Sequence, residues 1–247
     1  MTLNISPGDL RRMKQARRAA ALTGAGVSAE SGVPTFRGKD GLWRSFRAED
    51  LATPEAFARD PKLVWEWYDW RRSLIAPLAP NPGHYALAQM EKIFPRFTLI
   101  TQNVDGLHRA AGSTAPVEMH GNIWLTRCVR EGSICENRQA PLPEIPPRCP
   151  GCGALLRPHI VWFGESLDPD VLEQAFTAAR EAELFFVIGT AAAVQPAASL
   201  VGIAKEHGAM VVEVNVEETP VTHLADVSLR GPSGKILPEL VNLLQSA

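Results

Sequence analysis

Nowhere in the 247 residues is there an uninterrupted apolar run of the roughly eighteen residues that a membrane span requires. Neither sign of charge is in excess: 25 Lys+Arg stand against 27 Asp+Glu, a formal charge of −2. Bulk electrostatics therefore gives no basis for holding nucleic acid, and no direct nucleic-acid or membrane partner is expected. The stretch Met1 to Leu10 lacks the basic-then-apolar order of a secretory signal, so a cytoplasmic location is the expectation. Internal repeats and low-complexity tails are missing too. Cysteine is scarce, and Cys128, Cys135, Cys149 and Cys152 all fall in one short stretch. Without an export signal, that clustering favours metal ligation over disulfides.

What is present is ordinary for a folded chain: 45% hydrophobic and 21% charged residues, enough for one large domain or two modest ones with a filled core. Apolar runs of strand length recur at Ala19–Thr23, Phe97–Thr101, Pro158–Phe163, Leu184–Ile188 and Met210–Val214, and read as strands buried on both faces. Helix-like stretches lie among them at Pro82–Phe94, Pro169–Glu183, Ala197–His207 and Lys235–Leu244. This alternation specifies an α/β fold, a Rossmann-like parallel sheet domain. Two stretches interrupt it. Around Thr35 to Pro80 the sequence predicts a helix from Pro61 to Ile75 with Leu63, Trp67, Trp70 and Leu74 on one stripe. Around Leu125 to Arg157 lie all the cysteines, five prolines and no sustained periodicity, a composition that needs a staple. The expected organisation is a single unit over 1–247, with a parallel-sheet part covering 1–34, 81–124 and 158–247 and a smaller inserted domain that combines a helical module (35–80) with a cysteine-bearing module (125–157).

Three segments carry chemistry. Gly24-Ala25-Gly26-Val27-Ser28-Ala29 follows the first strand as a G-x-G-x-x-A turn, which lets backbone N–H groups approach a pyrophosphate and otherwise serves as a plain structural turn. Ser31, Thr35 and Arg37 add hydroxyls and a guanidinium suited to phosphate. Thr101-Gln102-Asn103-Val104-Asp105-Gly106-Leu107-His108 stands at the carboxyl end of a strand, the edge where open parallel sheets bind ligands. Its amides and carboxylate match ribose hydroxyls and a carboxamide, and equally an Asx-rich turn. His120, ahead of Gly121, titrates in the range a general base needs, although a histidine can also simply fill a hydrogen-bonding gap. A dehydrogenase would require an acid at the end of a second strand. Asp40 and Asp50 have the distance but no strand before them, which leaves an NAD-dependent oxidoreductase as the alternative reading.

Taken together, Gly24 to Gly38, Thr101 to His108 and His120-Gly121 resemble the sirtuin family of NAD-dependent protein-lysine deacylases. Arg157-Pro158-His159-Ile160-Val161-Trp162-Phe163-Gly164-Glu165, Gly189-Thr190, Val194-Gln195-Pro196-Ala197 and Asn215-Val216-Glu217 extend the likeness over nearly the whole chain. The resemblance implies that the acyl oxygen of a modified lysine attacks C1′ of the NAD ribose, that nicotinamide leaves, and that His120 then deprotonates a ribose hydroxyl, with Asn103 as the second catalytic position. It implies NAD contacts from Gly24, Ala25, Gly26, Ser28, Ala29, Glu30, Thr35, Phe36, Arg37 and Trp43. Further contacts would come from Gln102, Asn103, Val104, Asp105, Gly189, Thr190, Ala191, Asn215, Val216, Glu217 and Ser233. Acylated lysine of a protein substrate would meet Val161, Phe163, Gly164, Glu165 and Val194 by strand pairing.

Tyr68 and Arg71 stand three apart on one helix face and resemble the mark of the subgroup that removes succinyl, malonyl and glutaryl groups; Ala52 matches a small residue that makes room for a longer acyl chain. Ala191-Ala192 departs from the family, which usually has Ser after Gly-Thr, and implies a lost hydroxyl contact to NAD. The cysteines imply one structural zinc on Cys128, Cys135, Cys149 and Cys152, although the first pair is spaced more widely than a usual zinc knuckle.

Overall fold

The computed structural model describes residues 3–34 and 46–246, and five of its helices begin where proline follows a capping residue. In order come α1 (Pro7–Gln15), β1 (Arg18–Thr23), α2 (Ala25–Ala29), α3 (Ala48–Leu51), α4 (Pro54–Arg59), α5 (Pro61–Ile75), α6 (Pro82–Ile93) and β2 (Arg96–Thr101). Next are α7 (Leu107–Ala110), β3 (Val117–Glu118), β4 (Gly121–Cys128), β5 (Ile134–Glu136) and β6 (Leu156–Ile160). The chain ends with α8 (Pro169–Glu181), β7 (Leu184–Ile188), α9 (Ser199–Glu206), β8 (Met210–Asn215), β9 (Val227–Arg230) and α10 (Ser233–Gln245). Side-chain oxygens of Ser6, Thr53, Asp60, Asn81 and Asp168 accept first-turn N–H groups of α1, α4, α5, α6 and α8, each just before a proline whose missing N–H costs nothing there.

Six parallel strands form one sheet in the order β3-β2-β1-β7-β8-β9. Side chains alternate across it. Ala19, Ala21, Phe186 and Val212 pack on one face with Met13 of α1, Leu87 and Met90 of α6, and Leu237 and Leu240 of α10. Ala20, Leu22, Phe185 and Val211 pack on the other with Ala175 and Ala179 of α8 and Leu200 of α9. Helices on both faces are the arrangement that buried strands demand. The order reverses between β1 and β7, whose carboxyl ends form the seam where such sheets bind ligands.

A second, antiparallel sheet, β5-β4-β6, packs with α4 and α5 around Phe57, Val64, Trp65, Tyr68, Trp124 and Trp162. Trp65 Nε1 donates to Leu156 C=O at 2.7 Å, tying α5 to β6. Two expectations need correction here. The run Pro158–Phe163 is no strand of the parallel sheet; it contributes to β6, an edge strand that tolerates Pro158 because it pairs on one side only. The inward face of α5 is broader than the expected stripe: Trp67 is buried with Val64, Trp65, Tyr68, Arg72 and Ile75, Leu63 and Trp70 pack at its margin, and Leu74 is 38% exposed. A charged residue in that face hid the periodicity. Arg72 is fully buried, donates to the carbonyl and amide oxygens of Asn137, and lies 5.3 Å over the Trp124 ring. β9, a short run ending in arginine, carries too little apolar signal to be read in advance.

Phe186, fully buried on the central strand β7, tests the main core. Phe186→Ala should cost about 3–5 kcal/mol and lower Tm by roughly 10 °C, measured by calorimetry. An unchanged Tm would place the core elsewhere.

Candidate functional site

At the seam, the turn after β1 and the turn after β7 touch backbone to backbone. Gly24 N–H donates to Ile188 C=O at 3.1 Å and Gly26 N–H to Gly189 C=O at 2.8 Å. A Cβ on Gly26 would stand 2.7 Å from Gly189 O, and one on Gly24 would stand 2.6 Å from Thr190 Cβ. The glycines of the G-x-G turn are thus required by the opposing turn. Ala25 to Ala29 form α2, with Ala25 and Ala29 exposed and Ser28 buried.

Polar groups fan out from this contact. Thr190 Oγ1 accepts from Gln102 Nε2 at 2.9 Å, and Thr190 C=O accepts from Asn215 Nδ2 at 2.9 Å. Ala191 is exposed beside Ala192, which takes a left-handed φ of 44° and donates its N–H to Thr190 Oγ1. Val216 and Glu217 are exposed beyond β8. Glu30 accepts from Ser233 Oγ at 3.1 Å and Gly234 N at 2.8 Å, joining α2 to the start of α10. Thr35, Phe36, Arg37, Asp40 and Trp43 lie outside the described residues.

Asn103 Nδ2 donates to Gly24 C=O at 3.0 Å and Ser28 Oγ at 3.1 Å. His84 and His108, which sequence reasoning passed over as site residues, support this corner. His84 Nδ1 accepts from Asn81 N–H, which leaves the proton on Nε2, 3.3 Å from Ser28 Oγ. His108 Nε2 meets Thr23 Oγ1 at 3.0 Å, and the two imidazoles pack at 4.9 Å. Burial lowers His84 to about 4 and, helped by His84, His108 to about 3, so both are neutral. Signals for them were weak, since a lone histidine in an amphipathic helix or a turn has no distinctive spacing.

Asp105 is buried and caps α7 by accepting Leu107 N–H at 2.8 Å. Burial raises its pKa, against the Leu107 N–H, the Ser28 hydroxyl and the charge of Arg71. Val104 C=O accepts Ile123 N–H at 2.8 Å. His120 places Nδ1 3.0 Å from Gln102 C=O. A carbonyl only accepts, so Nδ1 carries the proton and Nε2 keeps its lone pair. Burial lowers the His120 pKa, partly opposed by that hydrogen bond.

The segment after β6 and the helices packed on the antiparallel sheet meet these residues. Val161 N–H donates to His120 C=O at 3.0 Å and Phe163 N–H to Ala52 C=O at 2.9 Å. Ala52 and Tyr68 are buried, and Trp162 Nε1 donates to Tyr68 Oη at 2.9 Å. The Arg71 guanidinium lies 5.0 Å over Trp67 and 5.8 Å over Tyr68. Burial pulls Arg71 down to about 10 and pushes Tyr68 up to about 12, so at neutral pH one is a cation and the other a neutral phenol. Gly164 follows at φ 84°, and Glu165 accepts a bidentate pair from Arg157 at 2.6 and 2.8 Å. Phe163 (55%) and Val194 (45%) are large apolar side chains left exposed.

In the cysteine module, Cys128, Cys149, Cys152 and Glu131 hold their ligand atoms within 4.8 Å of one another. Thiolates at this spacing fit a structural zinc. Cys135, expected among the ligands, is exposed on β5 opposite Thr126 and outside that group. Its place in a strand ladder is what separates it from the knuckles.

The Sir2 family model matches residues 24–196. An NAD-dependent protein deacylase of Aquifex aeolicus is 58% identical over 224 residues, covering 91% of this chain and 94% of the relative. A Sir2 homologue solved as a complex with NAD superposes with a TM-score of 0.92 at 47% identity, covering 98% of this chain and 94% of that one. Sir2Af2 bound to a myristoylated histone peptide superposes with a TM-score of 0.75 at 31% identity, covering 96% and 94%.

The neutral histidines make stability pH-dependent. Unfolded histidines take up protons near pH 6.5, whereas folded His84 and His108 resist until about 4 and about 3. Their stabilising contribution is therefore full above about pH 6.5 and is lost as pH falls toward those values. Tm should decline between pH 7 and pH 5, with a shallower slope in a His84→Gln/His108→Gln variant; a level Tm in the parent protein would contradict the buried neutral pair.

Proposed function

Because the chain belongs to the Sir2 family, we propose that it is an NAD-dependent protein-lysine deacylase in which His120 is the general base. The observation that carries this reading is the fixed tautomer of His120, whose Nδ1 proton is held by Gln102 C=O and whose Nε2 is left able to accept a proton. A lowered pKa keeps that base form populated at neutral pH. NAD, as co-substrate, supplies a ribose C1′ to receive the acyl oxygen, with nicotinamide as the leaving group.

The donors grouped at the seam suit that co-substrate. Ala25 and the α2 turn, with Gly189, Thr190 and Ala191, line the crevice for its phosphates. Gln102 and Asn103 face ribose, Val104 and Asp105 face the carboxamide, and Asn215 to Glu217 with Ser233 hold the adenosine end. The exposed side chains of Phe163 and Val194, with the backbone of Val161, Gly164 and Glu165, suit a peptide added as a strand. The oxidoreductase alternative finds no support: β2 ends at Thr101 and is followed by Gln102 and Asn103 where an acid would be needed, and Asp50 is taken up accepting Arg47 N–H at the start of α3.

The finer proposal is that acidic acyl groups, succinyl and malonyl, are removed along with acetyl. Ala52, buried in the same core as Tyr68, keeps a small side chain where a longer acyl chain would need room. Arg71 is a cation among aromatic rings, where a carboxylate gains more from a guanidinium than it would in water. Because Trp162 Nε1 donates to the Tyr68 oxygen, the phenolic proton stays available to a second acceptor.

Incubation with NAD and an acylated peptide should release nicotinamide without forming NADH. His120→Ala should lower kcat by on the order of a hundredfold or more and abolish the acid limb of the pH–rate profile, which in the parent lies below about pH 6.5. Near-normal turnover of that variant would remove His120 from the role. Arg71→Met should cost about ten- to a hundredfold in kcat/KM for succinyl-lysine and far less for acetyl-lysine. Equal losses on both substrates would leave Arg71 a structural part.

A further inference from the structure

The two turns of the cysteine module are copies of one another. Cys128-Val129-Arg130-Glu131-Gly132-Ser133 and Cys149-Pro150-Gly151-Cys152-Gly153-Ala154 have the same spacing. In each, the fifth residue is a glycine at φ 69° whose N–H donates to the carbonyl of the leading cysteine, at 3.0 Å for Gly132 and 2.9 Å for Gly153. In each, the leading cysteine N–H donates to the sixth residue, Cys128 to Ser133 C=O at 2.9 Å and Cys149 to Ala154 C=O at 2.7 Å. Val129 N–H bonds Leu155 C=O at 3.1 Å and brings the two turns face to face. In the first copy the position of Cys152 is filled by Glu131.

We infer that the zinc of this chain is held by Cys128, Glu131, Cys149 and Cys152, three thiolates and one carboxylate. All four ligand atoms lie within 4.8 Å of one another, somewhat wider than a closed tetrahedron and near enough for one ion to draw them in. Cys128 Sγ to Cys152 Sγ is 3.5 Å and Cys149 Sγ to Glu131 Oε2 is 4.0 Å, against edges of about 3.3–3.8 Å expected for bonds of about 2.0–2.3 Å. The formal charge of the set with Zn²⁺ equals that of four thiolates, so the exchange is electrostatically neutral. What changes is softness, because a carboxylate oxygen is a harder donor than sulfur. Cys135 has no way in without unpairing β5 from β4, where it faces Thr126 and its carbonyl accepts Thr126 Oγ1 at 3.2 Å. Its thiol is exposed and belongs to the surface.

The test uses the full chain loaded with Co²⁺ or Zn²⁺ and reads the metal itself. Thiolate-to-cobalt charge transfer grows with the number of Co–S bonds. The parent protein and Cys135→Ser should share one spectrum and bind about one equivalent of metal. Glu131→Cys should fold with a charge-transfer band about a third stronger, from a fourth thiolate. Glu131→Gln should release zinc to a chelator about tenfold faster or more. A weaker band or lost zinc in Cys135→Ser, or a Glu131→Cys spectrum identical to the parent's, overturns the assignment, as does a Glu131→Gln protein that holds zinc as tightly as the parent.

Discussion

Gly26 and Gly189 meet through their backbones across the seam where strand order reverses, and a Cβ on Gly189 would stand 2.5 Å from Val27 N. That contact sets the height of the turn after β7, and with it Thr190. Thr190 in turn fixes the amides of Gln102 and Asn215 from opposite sides. Gln102 then presents its carbonyl to His120. The chain of placement runs from a steric absence at two glycines to the protonation state of one imidazole. No step in it uses a loop free to choose its own conformation, which is the property a preorganised site needs.

The small domain is joined to the same line by backbone rather than by surface charge. Val161 pairs with His120, and Phe163 pairs with Ala52. Both donors continue directly from β6, whose partner β4 leads to the first knuckle. Arg157, stacked 3.5 Å over Trp162 and paired with Glu165, stiffens the corner between them. The first knuckle is therefore connected to the site through the pairing of β4 with β6.

Where apolar runs were strong, the fold was legible: β1, β2, β7 and β8 occupy the stretches expected from alternation, and α5 has the bounds expected for it. It failed where polar atoms took core positions. Arg72 is buried on α5 because Asn137 and the Trp124 ring receive its guanidinium, and no spacing rule predicts such a partner. At the site, the sheet-edge segments were readable because glycine and amide clusters are rare at strand ends. The supporting histidines were not, since His84 and His108 acquire meaning only when helix α6 and the turn before α7 fold side by side. Glu131 was passed over for a similar reason: cysteine drew attention by type, whereas its equivalence to Cys152 lies in turn geometry.

The link between Glu30 and the first residues of α10 joins positions 203 and 204 apart in the chain. A ribosome delivers Glu30 long before Ser233, so α2 must wait for nearly all of the polypeptide before its end is held. The same is true of Gly26, which waits for Gly189. The crevice is thus among the last parts to take shape during synthesis, because loop closure on that scale has to be met before its contacts can contribute. A nascent chain stalled before β7 would hold the Gly24 to Ser28 turn only from the side of Asn103 and His84, without the Gly189 backbone to close it from the other.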